Sequence, residues 1–456
     1  MNKISKIIVL LLLFGMIISL NFTKIGDGDL FWHLKTGQEI SETGIVSEDV
    51  YSWTFSGEDW LNHEWLTQYV FYLFSKDNNF LPLIIVKILF ITATFGLLFY
   101  VILKKAGFIP ATVFTGLGGL VAVRSFTVRP WIFSFFLIAL LFFLLEKKKF
   151  YIIPMIFLFW INLHGLFVMG LFILFVEAMN ELIVEKKYGL SKIFIISIIV
   201  MLINPNGLRG LLHPFSYLYG STSIHLNYIS EWQSPVFSGI WGMFFIIFIF
   251  ISIFSFIYSK EKPKVKDVLL FFVFLAAGLM AARNVPIFVI ITGVTASKSF
   301  ARNDFSKNPV IIYISLALFT AVTVFSFEMD LKNFSNGSFI NEEDYPVNAI
   351  DILEEENNRL VHTYRWGGYL LYHDIPVFID GRADFYPGSF LEEYFRATGL
   401  NTDPEVFIQK YEIETILWEV EVPFFYYLKK SELWEMIFLD DTCAIFKRAG
   451  SRGKID

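Results

Sequence analysis

Long apolar runs separated by short charged segments dominate the pattern of this sequence. Several of the runs fall short of the usual transmembrane length of about 20 residues, so we expect these to be tilted, broken or re-entrant. The runs cover residues 7–22, 80–103, 108–123, 131–146, 150–163, 166–183, 193–204, 238–258, 268–283, 286–300 and 309–327. The pattern predicts an α-helical polytopic membrane protein with about eleven transmembrane segments.

Two regions depart from this pattern: a polar loop at 23–79, and residues 328–456, where charges rise and apolar stretches shorten. The C-terminal stretches predict strands and helices in mixture. Strands are predicted at Tyr369–Tyr372, Pro376–Ile379 and Glu414–Trp418, and helices at Ala349–Asn357 and Pro387–Thr398. We therefore predict a transmembrane domain, 1–327, that carries the loop 23–79 and a lid loop 205–235, followed by a small soluble α/β domain, 328–456.

Composition supports a membrane protein. The mean hydropathy is +0.56, and the 456 residues include 53 phenylalanines. A net charge of -6 argues against a nucleic-acid partner. Because Cys443 is the only cysteine, an intrachain disulfide is impossible. The first apolar run has no small-x-small cleavage site near its end, so we expect an uncleaved anchor rather than a signal peptide.

The distribution of lysine predicts the orientation, since basic residues favour cytoplasmic loops. Lysines concentrate in alternate connections, at Lys3 and Lys6, Lys104–Lys105, Lys147–Lys149, Lys186–Lys187 with Lys192, Lys260–Lys266 and Lys298–Lys307. The opposite face then receives 27–79, 124–130, 162–165, 204–235, 283–286 and everything after 327. The unusual polar motifs thus share one face, which we expect to be the extracytoplasmic face of the inner membrane.

The loop 23–79 begins with a candidate polar site. Asp29 and His33 are four residues apart and would share a face of a helix, with Trp32 beside them. A carboxylate partly desolvated by aromatic rings can have a raised pKa and act as a general base. The alternative is that Asp27 or Asp29 caps this helix while Trp32 anchors it at the membrane interface.

Further along the loop, residues 60–68 predict an amphipathic helix that contains His63 and Glu64. The zinc-protease motif needs a second histidine four residues after the first, but Thr67 occupies that position. We therefore predict no metal site. The helix is either interfacial, or it brings His63 and Glu64 to a polar site with Asp29.

Several motifs together resemble the class C family of polytopic, lipid-dependent glycosyltransferases. The resemblance covers nearly the whole chain in order. Its motifs are Asp27-x-Asp29-x-x-Trp32-His33-x-x-x-Gly37, Asp49-x-Tyr51-Ser52-Trp53-Thr54, Asn62-His63-Glu64-Trp65-Leu66, Asn162-Leu163-His164-Gly165, Leu202-Ile203-Asn204-Pro205-Asn206-Gly207, Glu231-Trp232-x-Ser234-Pro235, Arg283-Asn284 and Phe378-Ile379-Asp380-Gly381-Arg382.

The resemblance implies a catalytic base. In class C enzymes an acidic residue near the end of the first helix, in the first extracytoplasmic loop, has this role, and Asp29 looks like that residue. Many relatives have an Asp-Glu pair here and a small residue eight positions after the Asp. Counting from Asp29 reaches Gly37, whereas counting from Asp27 reaches Lys35, and this chain lacks the Asp-Glu pair.

Four arginines lie at the predicted outer ends of apolar runs, where a charge is costly without a partner or a task. They are Arg124, Arg129, Arg209 and Arg283. Either they bind the phosphate of a polyprenyl-phosphate sugar, or they extend to the lipid headgroups. Arg129 and Arg283 each adjoin a break in an apolar run, which favours the first interpretation for these two.

The remaining candidates are predicted to bind substrate or support the site. His164 lies in a sharp turn, where it either lines a cavity or bonds to the backbone. Glu231 flanks the lid loop, although Glu231-Trp232 also fits the start of an interfacial helix. Asp380 and Arg382 follow an apolar stretch, and an ion pair within a structural turn is the simplest interpretation.

We therefore expect an inverting membrane glycosyltransferase. A polyprenyl-phosphate sugar would be the donor, and an extracytoplasmic glycan, lipid or protein the acceptor, with no cofactor required. The alternative is a transporter, flippase or assembly factor for lipid-linked glycans. A transporter usually carries charges near mid-membrane and repeated halves, whereas here charge gathers on one face and no repeat is visible. The sequence identifies neither the sugar nor the oligomeric state.

Overall fold

The computed structural model describes residues 2–216, 228–301, 310–334, 337–354 and 359–449. The chain forms two compact units. The first contains Met1–Lys24, Leu81–Ser216 and Ile229–Gly337, and the second contains the described residues of Ile25–Phe80 and Ser338–Asp456. The hydropathy pattern had grouped the loop 23–79 with the transmembrane domain, whereas here nearly all of it belongs to the same unit as the C-terminal residues.

Helices predominate in the described residues. In chain order they are α1 (Lys3–Asn21), α2 (Asp29–Thr43), α3 (Trp65–Leu73), α4 (Leu81–Ala106), α5 (Phe108–Ala122), α6 (Trp131–Lys147), α7 (Ile153–Leu163), α8 (Phe167–Asn180), α9 (Gly189–Met201), α10 (Gly207–Ser216), α11 (Gly239–Ile257), α12 (Val265–Met280), α13 (Val285–Ala301), α14 (Val310–Asn333), α15 (Ile350–Glu354), α16 (Gly367–Tyr372), α17 (Gly388–Thr398), α18 (Pro404–Lys410) and α19 (Pro423–Lys430).

The first unit is built from the apolar runs. In the described residues, most of each of the eleven runs lies on one helix of this unit, because an apolar backbone in a membrane must satisfy its hydrogen bonds within the segment. Seven helical segments in the described residues are long and apolar enough to cross a membrane. They are Lys3–Asn21, Leu81–Ala106, Phe108–Ser125, Phe167–Glu185, Gly239–Ile257, Ala282–Ala301 and Val310–Glu328. The prediction of a helical polytopic membrane protein is confirmed, while the count of eleven crossings stays a prediction.

Small residues bring these helices together. A Cβ atom at Gly116 would overlap the ring of Phe319, so the glycine makes room for this ring where α5 packs on α14. Gly170 in α8 lies in the same way against the ring of Trp160 in α7. Close approach at small residues is a common basis of helix association in membranes.

The second unit contains a four-stranded sheet with the order β1-β2-β4-β3. Its strands are β1 (Leu360–His362), β2 (Thr415–Glu419), β3 (Trp434–Leu439) and β4 (Cys443–Arg448). β1 and β2 are parallel, and β4 is antiparallel to both β2 and β3. Helices α15 to α19 complete the predicted α/β region.

Some local predictions for this unit were wrong. Tyr369–Tyr372 lies in helix α16 rather than in a strand, because a short apolar run does not distinguish the two. Pro376–Ile379 is not a strand of the sheet. Instead, Val377 N–H donates to Tyr51 O at 3.3 Å, and Trp53 N–H donates to Val377 O at 3.0 Å. The amphipathic helix predicted at 60–68 begins only at Trp65.

Aromatic side chains from the loop 23–79, hereafter the first loop, enter the core of the second unit. The ring of Phe55 lies 4.8 Å from Phe390 and 5.6 Å from Tyr386, measured between centroids. Trp53 Nε1–H donates to Leu360 O at 3.1 Å, and this carbonyl belongs to β1. Burial of such rings is a large apolar contribution, which explains why the loop joins this unit.

His362 in β1 makes the stability of this unit depend on pH. Burial lowers the pKa of His362 from 6.5 to about 4. As the pH falls from 6.5 to about 4, His362 binds a proton in the unfolded chain but not in the folded chain. The free energy of unfolding therefore decreases by up to about 1.4 kcal/mol per pH unit. We expect His362→Gln to remove this contribution in urea unfolding measured at several pH values. His373→Gln, at a partly exposed histidine, is the control, and an unchanged slope in His362→Gln would refute the assignment.

Candidate functional site

The candidate base Asp29 is the first residue of α2. The N-cap position is occupied by Gly28, and the backbone N–H of Asp29 donates to Asp27 Oδ1 at 3.1 Å, so Asp27 bonds to the first helical residue without occupying the N-cap position. The Asp29 carboxylate lies against the backbone of Gly381 instead. A Cβ atom at Gly381 would overlap Asp29 Oδ1 and would lie 2.9 Å from Trp32 Nε1.

Glycines from three separate segments of the chain surround this helix start. A Cβ atom at Gly28 would overlap Arg365 O, and one at Gly368 would overlap Gly28 O. Together with Gly381, these glycines let the segments after Ile25, Tyr364 and Phe378 approach one another so closely that no Cβ atom would fit between them. The position of Asp29 is therefore set by backbone contacts from distant parts of the sequence.

Gly37 has a similar structural reason within the first loop. A Cβ atom there would overlap Gln68 O, so the glycine allows α2 to pack closely on α3. Gln68 and Asn62 are both buried and exchange two side-chain hydrogen bonds, of 2.7 and 2.9 Å. This pairing fixes the chain just before α3, where His63 and Glu64 lie.

His33, Glu64, His63 and Asp384 form a line of alternating imidazoles and carboxylates. His33 Nε2 is 3.9 Å from Glu64 Oε2, and His63 Nε2 is 3.7 Å from Glu64 Oε1. His63 Nδ1 is 3.7 Å from Asp384 Oδ2. Such groups can exchange protons, and the same atom types bind divalent metal ions. The first three were candidates from the sequence, whereas Asp384 was not.

Tyr345 is a second residue that the sequence did not indicate. Burial raises the pKa of Tyr345 above its ordinary value, and the carboxylates of Asp27, Asp344 and Asp29 raise it further. The ring stacks on Tyr369 at a centroid distance of 4.8 Å. A neutral phenol therefore lies near the candidate base, yet a single tyrosine in a polar stretch carries no motif by which to find it.

Arg382 and Asp380 form the expected ion pair, and both side chains are fully buried. Arg382 Nε donates to Asp380 Oδ1 at 2.8 Å, and its Nη2 donates to Asp49 Oδ1 at 2.7 Å. The guanidinium also lies 4.7 Å from the ring centroid of Trp60. Arg382 thus joins the first loop to the C-terminal residues, a connection that the sequence did not predict.

In the first unit, two of the four candidate arginines converge on Glu231. Arg129 Nη1 pairs with Glu231 Oε2, and Arg283 Nη1 lies 3.4 Å from Glu231 Oε1. Burial by itself raises the pKa of Glu231, but the two guanidinium groups outweigh it, so the pKa lies below its usual value. The carboxylate is therefore ionised at neutral pH.

Each of these arginines also lies over a tryptophan. The guanidinium carbon of Arg129 is 4.8 Å from the ring centroid of Trp131, and that of Arg283 is 4.4 Å from Trp232. A cation over an indole face is attracted to it, and the contact restricts the guanidinium. The structure thus brings Arg129, Arg283 and Glu231 into one cluster, hereafter the arginine cluster.

The other candidates of the first unit lie elsewhere. Arg124, in the turn Val123–Ser125, and Arg209, in α10, are exposed and are separate from these ion pairs in the described residues. His164 is buried, and its Nδ1 lies 2.8 Å from Ser134 Oγ, which also accepts a hydrogen bond from Trp160 Nε1. Of the predicted lid loop 205–235, residues 217–227 lie outside the described residues.

The architecture is that of the class C glycosyltransferases, as the sequence motifs predicted. The apo oligosaccharyltransferase of Archaeoglobus fulgidus is similar with a TM-score of 0.60, at 9% identity, over 92% of this chain and 70% of that chain. ArnT from Cupriavidus metallidurans bound to undecaprenyl phosphate is similar with a TM-score of 0.53, at 12% identity, over 98% of each chain. No protein-family model and no curated protein matches the sequence.

Proposed function

We propose that this protein is an inverting membrane glycosyltransferase that moves a sugar from a polyprenyl-phosphate carrier to an extracytoplasmic glycan, lipid or protein. The observation that carries the proposal is the carboxylate of Asp29 at the start of α2, set among glycine contacts. Two facts about the fold neighbours support it. ArnT was solved with undecaprenyl phosphate, and the oligosaccharyltransferase was also solved with an acceptor peptide.

In the proposed reaction, Asp29 takes the proton of the acceptor hydroxyl as the new bond forms. The acceptor oxygen attacks the anomeric carbon from the side opposite the phosphate, which inverts that carbon. The bond between this carbon and the phosphate oxygen breaks, and its electron pair stays on the phosphate. Arg129 and Arg283 would stabilise the charge that develops there. Tyr345, His33, His63 and Glu64 would support the base. Arg124 and Arg209 would bind the donor phosphate, and His164 and Glu231 would bind substrate or support the site.

We further propose that the protein lies in the inner membrane, with the second unit on the extracytoplasmic side. Arg382 and Asp380 are both buried, so we propose that they support the site rather than contact the substrate. The alternation of lysine-rich connections supports this orientation. To test on which side of the membrane the second unit lies, single cysteines placed at exposed sites such as Asp374 would be labelled in intact cells.

A transfer assay tests the proposed function. Purified protein in lipid nanodiscs would receive radiolabelled undecaprenyl-phosphate hexoses and pentoses, with glycan, lipid and peptide acceptors. We expect labelled acceptor and free undecaprenyl phosphate to appear together. In proteoliposomes, the same donors would show movement across the bilayer if the protein were a flippase. Movement without any transfer would sink the enzymatic proposal in favour of transport.

Gly381→Ala should reduce transfer strongly with a smaller effect on stability. The new methyl group would displace the Asp29 carboxylate and press on Trp32, whereas the backbone of the segment can stay in place. A misplacement of about 1 Å costs about 100-fold in rate, so we expect a loss of this size in steady-state transfer. Gly15→Ala is the matched control, because nothing lies within 4 Å of its added Cβ. Wild-type transfer by Gly381→Ala would contradict the assignment of this site.

A further inference from the structure

In the part of the chain that the structure describes, Trp32 alone among the tryptophans has an indole nitrogen that is buried and has no hydrogen-bond partner. The whole side chain is only 7% exposed. A buried donor without a partner costs free energy, so it needs an explanation. Four other buried indoles donate their N–H at 2.8–3.2 Å, namely those of Trp131, Trp160, Trp366 and Trp434. Trp32 is therefore an exception within this chain.

The polar edge of this indole faces two glycines. A Cβ atom at Gly381 would lie 2.9 Å from Trp32 Nε1, and one at Gly368 would lie 3.4 Å from Cδ1, the carbon bonded to that nitrogen. Because both positions are glycine, no side chain projects from either of them toward the N–H. The sequence thus places residues without a side chain where a hydrogen-bond acceptor could otherwise have reached this donor.

The same edge adjoins the candidate base. The Cβ atom added at Gly381 would also overlap Asp29 Oδ1, so the carboxylate oxygen and the indole nitrogen lie against one glycine. The Asp29 side chain is itself only partly buried. In the proposed reaction this carboxylate takes the proton of the attacking hydroxyl. Since the two groups are neighbours, an acceptor whose hydroxyl reaches Asp29 brings its adjoining atoms close to Trp32 Nε1.

We infer that Trp32 Nε1–H binds an oxygen next to the attacking hydroxyl, and that the acceptor is a glycan with neighbouring hydroxyl groups. An indole N–H only donates, and a carboxylate that is to take a proton only accepts. The pair therefore suits two hydroxyls on adjacent carbons, one donating to Asp29 and the other accepting from Trp32. If a single hydroxyl contacted both groups, the N–H would occupy a lone pair of the oxygen that must attack. This inference rests on the proposed function.

The simpler alternative is that Trp32 contributes only its ring. The indole lies 3.6 Å from the ring of His33 and 6.2 Å from that of Trp60, measured between centroids. A packing role depends on the ring and not on the N–H, so its loss would slow transfer to every acceptor alike. Loss of a hydrogen bond to the acceptor would instead affect only acceptors that carry the neighbouring hydroxyl. The two explanations therefore predict different results when both the protein and the acceptor are changed.

The class of acceptor that receives the sugar is the first test. Full-length protein in nanodiscs would be given undecaprenyl-phosphate sugars with methyl glycosides, long-chain alcohols, or peptides that contain serine and asparagine. We expect transfer to methyl glycosides. Transfer to alcohols or peptides alone would overturn this inference and leave the proposed function standing. Absence of transfer to all three classes would count against the proposed function itself.

A cycle of protein and acceptor variants tests the contact itself. Trp32→Phe removes the N–H, and monodeoxy methyl glycosides lack, in turn, each hydroxyl next to the one that is glycosylated. For one of these analogues we expect either change alone to lower kcat/KM for the acceptor by about tenfold, the contribution of one hydrogen bond. Both changes together should cost no more than one of them. Losses that multiply for every analogue would overturn the inference.

Two further variants separate the N–H from the ring. An enzyme with 3-benzothienylalanine at position 32 keeps the two fused rings and replaces the N–H by sulfur, so it should behave as Trp32→Phe does. Wild-type discrimination between parent and deoxy acceptor in this variant would overturn the inference. Trp434→Phe removes a similarly buried indole whose N–H donates to Glu405 Oε1 at 3.2 Å, and it should leave the discrimination unchanged. The same loss of discrimination in Trp434→Phe would show that the effect is not specific to Trp32.

Discussion

Asp29→Asn is expected to reduce the rate of sugar transfer by about 10²–10⁴-fold, the usual contribution of a general base. The amide keeps the size of the side chain and its place beside Gly381, but it does not accept the acceptor proton. Because the base acts in the chemical step, the loss should fall on kcat rather than on donor binding. Steady-state transfer with undecaprenyl-phosphate donors, together with donor dissociation constants, would measure both.

Two controls belong with this variant. Asp374→Asn removes an exposed carboxylate that pairs with Lys35 at 2.5 Å, outside the glycine contacts, and should keep wild-type transfer. Asp27→Asn keeps an oxygen that can accept the Asp29 N–H, so its effect should be much smaller than that of Asp29→Asn. Equal rates for Asp29→Asn and wild type would show that another group takes the proton.

Arg382→Gln is expected to destabilise the second unit by about 3–5 kcal/mol, since it leaves two buried carboxylates without their cation. Asp49 and Asp380 are both fully buried and both bond to Nη2 of Arg382. Chemical unfolding followed by tryptophan fluorescence would measure the change, because Trp60 lies against the guanidinium.

The comparison variant for this prediction is Arg365→Gln. Arg365 pairs with Glu419 at 2.6 Å but is half-exposed, so its loss should cost less than about 1 kcal/mol. The triple variant Arg382→Met, Asp49→Asn and Asp380→Asn removes all three buried charges and should be more stable than Arg382→Gln. If Arg382→Gln were no less stable than Arg365→Gln, the buried ion pairs would not be what joins the two segments.

The helices of the first unit were predictable because the membrane imposes a local rule. An apolar run of sufficient length becomes a helix whatever its neighbours, and all eleven runs did so. The apolar stretch Tyr369–Tyr372 had no such constraint. Four apolar residues fit a strand or a helix equally, and in the structure they belong to a helix whose first two residues, Gly367 and Gly368, lie against neighbouring backbone.

The candidate sites were predictable as a set of residues but not as an arrangement. Motifs indicated Asp29, His63, Glu64, Arg129 and Arg283, since charges among aromatics or at breaks in apolar runs are conspicuous in a sequence. Their roles stay predictions. The pairing of Asp49 with Arg382 joins positions 333 residues apart, and no local pattern encodes such a contact. The same holds for Asp384 beside His63.

The pairing of Asp49 with Arg382 also constrains when the second unit can form during synthesis. Arg382 follows Asp49 by 333 positions, and at typical translation rates the ribosome needs roughly 20–70 s to cover that distance. During this time the first loop, with Phe55 and Asp29, exists without the C-terminal residues that cover it. The aromatic rings of the loop therefore stay exposed, or are shielded by another molecule, until the C-terminal residues have been synthesised. A truncation before Arg382 would leave a protein in which the helices of the first unit are complete but the proposed catalytic loop lacks the C-terminal residues that pack on it.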